Sequence, residues 1–144
     1  MKCVAIIVID FDDTITIADE FPEIAPMRKG ARKVINKYYD RGHCIIINTC
    51  RDGIYQDMAK DWLIANGIKF CHINDNCDVR KKQYHNDTRK IGGHIFIDDK
   101  NLECLVAGGV NWKLIDMYLS YVLKKYPMTQ VLCKERDAYI TTQC

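Results

Sequence analysis

Five carboxylates in two clusters are the residues of this chain whose types and spacing most suggest chemistry. Asp10, Asp12 and Asp13 fall within four positions directly behind an apolar run at residues 3–9, and Asp98 and Asp99 stand directly behind Ile95-Phe96-Ile97. Carboxylates this close repel one another unless a cation or a shared proton offsets them. A hard divalent ion takes oxygen donors, and Mg2+ is the natural choice. Complementary groups stand beside other apolar runs: Thr14 after the first, Thr49 and Arg51 after residues 44–47, and Lys90 ahead of the last. Acids on one side with hydroxyl and cationic donors opposite suit the oxygens of a transferred phosphoryl group.

These residues converge only if the apolar runs lie side by side and point the same way. Residues 3–9, 43–47 and 94–97 are rich in β-branched side chains and do not alternate, which predicts strands buried on both faces. Residues 68–73 predict a further short strand. Between the strands, residues 27–39 carry Ala31, Val34, Ile35 and Tyr38 at helical spacing, and residues 55–65 carry Met58, Ala59, Trp62 and Leu63. Gly42 and Asn66-Gly67 supply the stops. Two successive strand-helix-strand crossovers result, right-handed by default. The carboxyl ends of parallel strands share one edge of the sheet, where ligands bind. The expected class is α/β, a Rossmann-like three-layer fold with a mostly parallel central sheet.

The remaining stretches are less regular. Residues 15–26, with two prolines and the acids Asp19, Glu20 and Glu23, read as an irregular flap beside the first acids. Residues 74–89 read as a long polar loop, basic through Arg80, Lys81, Lys82, His85 and Arg89. A solvated charge run is the weightier reading of Arg80-Lys81-Lys82, a substrate rim the lesser. Past the last strand come Leu102, Leu105 and Val106. Asn111 then stands where it would cap a helix at 112–125 with Leu114, Ile115, Tyr118, Leu119 and Val122 inward, ended by Pro127. The expected division is a catalytic domain at 1–126 and an extension at 127–144, in which Val131-Leu132-Cys133 reads as an edge strand.

Bulk properties exclude several classes. The chain has 144 residues, 48% apolar and 28% charged, with a formal charge of +2, which suits one ordinary domain and gives no argument for nucleic acid. No run approaches the roughly 20 apolar residues that span a bilayer. Asp10, Asp12 and Asp13 interrupt the first apolar run, so it reads as a core strand and not as a signal peptide, and a cytoplasmic protein is expected. Eight cysteines without a CxxC pair imply mostly free thiols in a reducing compartment, with Cys77 and Cys144 the most exposed. His43, His72, His85 and His94 show no metal-binding spacing, and Cys50 has no histidine base near it in sequence.

Asp10-Phe11-Asp12-Asp13-Thr14-Ile15 resembles the first motif of the haloacid dehalogenase-like superfamily, DxDx[T/V] after a hydrophobic strand. Thr49 behind its strand is similar to the second motif, and Lys90 with Ile97-Asp98-Asp99 resembles the third and fourth. Arg89-Lys90 and Phe96-Ile97-Asp98-Asp99-Lys100-Asn101 look like a small uncharacterised bacterial hydrolase group that lacks a large cap. The resemblance implies a fold with a minimal cap and an Mg2+ ion held by Asp10, Asp12 (through its carbonyl), Asp98 and Asp99, with either of the last two as the direct ligand. It implies Asp10 as the nucleophile that forms an aspartyl-phosphate, and Asp12 as general acid and then base. Thr49 and Lys90 would hold phosphoryl oxygens, with Lys81 or Lys82 as rivals of Lys90, and Arg51 would either reach substrate or pair with Asp52 or Asp57. Asp13 stands where many members have glycine.

The expected function is an Mg2+-dependent phosphomonoester hydrolase acting on a small molecule, a nucleotide or sugar phosphate among the candidates. Its open site would suit a bulky substrate or closure by a neighbouring copy of the chain, and neither a nucleic-acid nor a membrane partner is expected. Two other readings stay open: a phosphoacceptor receiver-like signalling domain, disfavoured by the order of acids and lysine, and a catalytically weak binding protein of the same superfamily.

Overall fold

The apolar runs pair side by side and in parallel, with the first of them inside the sheet. The computed structural model describes residues 5–125. The expectations for Cys3, Pro127, Val131-Leu132-Cys133, Cys144 and the extension at 127–144 lie outside the described residues. In chain order the elements are β1 (Ile6–Asp10), α1 (Ala31–Asp40), β2 (Cys44–Asn48), α2 (Gly53–Ala65), β3 (His72–Ile73), α3 (Asp78–Tyr84), β4 (Ile95–Ile97), α4 (Leu102–Val106) and α5 (Trp112–Lys125). The sheet order is β3-β2-β1-β4, every pairing parallel. Ile6 to Ile9 and Cys44 to Ile47 are buried throughout, as strands covered on both faces should be.

Helices complete a three-layer α/β/α arrangement. On one face α1 meets α5, where Lys37 Nζ lies 2.7 Å from Asp116 Oδ1 and the Tyr38 hydroxyl donates to the same oxygen at 2.8 Å. Asn36 ties α1 to the end of α2, donating to the Gly67 carbonyl at 2.8 Å and accepting from the Lys69 N–H at 2.9 Å. The order reverses between β3 and β4, so the connection that carries α3 returns past β2 and β1. Gly93 lies against that sheet, where a Cβ would collide with Val8 Cγ2. Among the described residues no helix is long and apolar enough to cross a membrane.

Some expectations are corrected. Residues 74–89 do not form a plain loop, because α3 lies within them. This helix hides no apolar stripe that a periodicity could reveal. Val79 packs against the core from it, and Lys81 lies 2.7 Å from Asp75, 3.6 Å from Asp87 and 3.8 Å from Asp78. Cys77, expected to be exposed, is fully buried just before α3. Ala59 and Leu63 bury α2, whereas Met58 stays exposed. Asn111 caps α5 as expected, its Oδ1 accepting from the Lys113 and Leu114 N–H groups at 3.0 and 3.2 Å. Leu114 and Tyr118 are nonetheless exposed, as are Leu102, Leu105 and Val106 of the short α4. A cleft of about 240 Å3 between β4, α4 and α5 is lined largely by apolar side chains of this region.

Two histidines brace the start of β1. His43 Nδ1 accepts from the Ala5 N–H and His94 Nδ1 from the Ile6 N–H, each at 2.9 Å. Partial burial, helped by Arg80, holds His94 below its usual 6.5. Below 6.5 the unfolded chain therefore binds protons more readily than the folded one, so this contribution to stability is whole above pH 6.5 and is lost as pH falls through the folded value. Urea midpoints are expected to drop less between pH 7.5 and 5 in His94→Asn, whose amide oxygen can still accept from Ile6. Equal pH slopes in the two proteins would refute the role.

Candidate functional site

The chain crosses from β1 to β2 on one side and returns to place β4 on the other, so the sheet has its topological switch point between the carboxyl ends of β1 and β4. Open α/β sheets bind ligands at such a point. Asp10 ends β1, and Asp98 and Asp99 follow β4 directly. One carboxylate oxygen from each lies within 4.8 Å of the others. The fully buried Thr14 hydroxyl stands among them, 2.9 Å from Asp10 Oδ2 and 3.3 Å from Asp99 Oδ1, and it accepts the Asp99 N–H at 3.0 Å.

The electrostatics of this group are relieved only in part, by Lys100 on Asp99. Burial, and next the hydrogen bond shared with Asp99, push the Asp10 carboxyl up to about 8, while the Thr14 hydroxyl opposes the rise. Burial also raises Asp98. For Asp99 burial acts upward too, but the Lys100 ammonium at 2.7 Å outweighs it and holds the carboxyl below the usual range. A set of three oxygen donors that resist simultaneous ionisation fits a hard divalent cation, which would relieve the repulsion.

Asp12 has a different environment. Arg51 Nε donates to its Oδ2 and Nη2 to its Oδ1, both at 2.8 Å. The same guanidinium donates to the Pro22 carbonyl at 2.9 Å and the Glu23 carbonyl at 2.7 Å, between the rings of Phe11 and Phe21. Arg51 is only 2% exposed, and the Asp12 hydrogen bonds raise its pKa still further. It thus clamps the flap at 15–26 onto the loop after β2, its donors directed inward and not to solvent.

Comparison with known proteins adds a family. The family described as PITM 1-3, LNS2 domain matches residues 7–129, a span that holds both acid clusters. The chain belongs to this LNS2 domain family. A solved structure, described as that of a conserved protein coded by a locus from Bacteroides thetaiotaomicron, is similar to this LNS2 domain with a TM-score of 0.69 and 26% identity. The likeness covers 82% of this chain and 91% of that one. None of the curated proteins matches.

The other candidate residues of the LNS2 domain divide between the cavity and its surroundings. A cavity of about 170 Å3 is lined by Asp10, Asp98 and Lys90, together with Val8, Asn48, Phe96, Ile97 and Asn101. Lys90 is exposed at its edge, with Nζ 5.7 Å from the centre of the Phe96 ring. Lys81 is held in its three ion pairs, and neither it nor Lys82 lines this cavity. Thr49 sits one residue beyond the lining, its N–H donating to Asn74 Oδ1 at 2.7 Å and its hydroxyl accepting from the Arg51 N–H at 3.2 Å. Asp13 adopts a φ of 57° and holds Arg28 at 2.6 Å. That left-handed backbone favours glycine, and aspartate tolerates it. Sequence reasoning passed over Asn48 and Asn101. Asn48 enters as the β2 partner of Asp10, a register that the strand pairing decides.

Proposed function

We propose that this LNS2 domain is a Mg2+-dependent phosphomonoester-binding protein of the haloacid dehalogenase-like type with weak hydrolytic capacity. The observation that carries this reading is the two-point hold of Arg51 on Asp12. A phosphatase of that type needs Asp12 to give a proton to the leaving alcohol and to take one from water. The guanidinium fixes the direction of both carboxylate oxygens, so Asp12 would have to leave this pair or turn within it to meet a leaving group or a water. Asp10, Asp98, Asp99 and the Asp12 carbonyl would hold the ion, which would offset their charge and attract phosphoryl oxygens. Lys90 and Thr49 would approach those oxygens from the other side. The cavity is smaller than the roughly 300–1,000 Å3 that encloses a whole drug-sized ligand, which favours entry of the phosphate end alone.

A second reading, a competent phosphatase working through an aspartyl-phosphate on Asp10, is favoured by Asp10, Asp98 and Lys90 lining one cavity. One experiment separates the two. Binding and phosphate release are measured over a panel of nucleotide and sugar phosphates, with Mg2+ and with EDTA, for wild type and Asp10→Asn. Saturable binding is expected that needs both Mg2+ and Asp10. Turnover is expected about 10²–10⁴-fold below common enzyme rates of about 1–10³ per second, the factor that general acid–base catalysis supplies. Turnover within the common range would establish the second reading. Absence of Mg2+-dependent binding from folded protein would remove both.

A further inference from the structure

A second cluster lies away from the acids, on the strands β2 and β3. His72 is the register partner of Ile46, and Cys44 lies two residues before Ile46. Partners across parallel strands, and residues two apart along one, point to the same side of a sheet. Cys44 and His72 therefore share a face. Cys77, the residue that opens α3, comes down onto it. One ligand atom from each of the three, a sulfur, an imidazole nitrogen and a sulfur, lies within 4.8 Å of the other two. Cys44 and Cys77 are fully buried, and His72 is 8% exposed.

We propose that Cys44, His72 and Cys77 form a binding site for a thiophilic divalent ion, Zn2+ in the first instance, that staples β2, β3 and the start of α3. Two thiolates and one imidazole are a donor set that zinc takes with a fourth position left to water. Tetrahedral bonds of about 2.3 Å to sulfur imply ligand-to-ligand separations of about 3.8 Å, so the ligands need to close in by at most about 1 Å. The charges also balance, since two thiolates neutralise the ion inside a buried region where neither a lone cation nor a lone thiolate would be favourable. The hard, all-oxygen acid site selects the opposite kind of ion.

The site has a position from which it would organise its surroundings. Between His72 and Cys77, Asn74 holds the Thr49 N–H at 2.7 Å and donates to the Arg51 carbonyl at 3.0 Å. Asn76 accepts from the Gly92 N–H at 2.7 Å and donates to Asp87 and the Thr88 carbonyl, both at 2.9 Å. An ion that ties both ends of this short segment restrains both asparagines.

The test is a Co2+ titration of the reduced, chelator-treated chain, followed by displacement with Zn2+. Expected are a thiolate-to-cobalt charge-transfer absorption that saturates at one ion per chain, its loss on adding Zn2+, and its persistence in excess Mg2+. A free Zn2+ concentration about 100 times the dissociation constant is expected to raise the melting temperature by roughly 5–10 °C. Cys77→Ser and Cys44→Ser should abolish the absorption, while Cys104→Ser and Asp10→Asn should keep it. Should Cys44→Ser not fold, Cys77→Ser, at the entrance to a helix and not within a strand, decides the matter. The proposal is overturned by the lack of a thiolate band in wild type, by a band that survives Cys77→Ser, or by a Cys44–Cys77 disulfide in metal-free protein purified without reductant.

Discussion

Arg51→Ala is expected to lower the unfolding free energy by about 3–5 kcal/mol, the range for removing one partner of a buried ion pair. The side chain of Arg51 is 1% exposed and that of Asp12 16%, so alanine at 51 leaves the Asp12 carboxylate with neither its cation nor full access to water. It also strips the Pro22 and Glu23 carbonyls of their donors and frees the flap at 15–26 from β2. The check is a cycle of urea unfolding curves for wild type, Asp12→Ala, Arg51→Ala and the double variant. The double variant should be less destabilised than the two single losses add up to, because no charge is left stranded in it. A single-variant cost below about 1 kcal/mol would put the pair among solvent-screened surface bridges. That outcome would also remove the ground for regarding Asp12 as restrained. Arg51→Lys keeps a charge but cannot span both oxygens, and it is expected to raise phosphate release above wild type.

Trp112→Ala is expected to cost about 3–5 kcal/mol as well, by a different route, the cavity left by a large buried aromatic side chain. Trp112 is 1% exposed at the start of α5, and its Nε1 donates to the Thr14 carbonyl at 2.9 Å. Gly30, which precedes α1, allows the close fit. A Cβ there would lie 3.2 Å from Trp112 Cβ, and its φ of 87° already favours glycine. Since the Thr14 hydroxyl lies among Asp10 and Asp99, the indole supports the acid site from below. Mg2+ affinity, measured by calorimetry, is therefore expected to fall with stability. Trp112→Phe keeps much of the buried area but removes the five-membered ring and the donor to the buried Thr14 carbonyl, with an expected cost of about 1–3 kcal/mol. If Trp112→Ala shifts the urea midpoint no further than Trp112→Phe does, the packing argument fails.

Both arguments run through contacts between residues far apart in the chain, and this separates what could be read early from what could not. The strands at Ile6–Asp10, Cys44–Asn48 and Ile95–Ile97 and the helices α1, α2 and α5 announce themselves by local pattern. A run of β-branched residues has nowhere to go but a doubly covered strand, and apolar residues every three or four positions require a helix with one buried face. Helix α3 is legible in neither way, because it packs Val79 against the core without a repeating apolar stripe and buries none of its residues fully. The exposure of Leu114 and Tyr118 escaped the same reading, since periodicity marks a stripe without saying how wide a surface the rest of the chain will cover.

From the sequence by itself come the parallel α/β class, the acids at two strand ends and their convergence, because all of these follow from local periodicity and from the geometry of a parallel sheet. The tertiary structure alone decided that Arg51 turns onto Asp12, that Lys90 and not Lys81 lines the cavity with Asp10, and that Cys44, His72 and Cys77 meet on one face. A side chain's partner is set by strand order, by register and by which helix covers which face. Those depend on contacts across the whole chain, and local spacing carries no record of them.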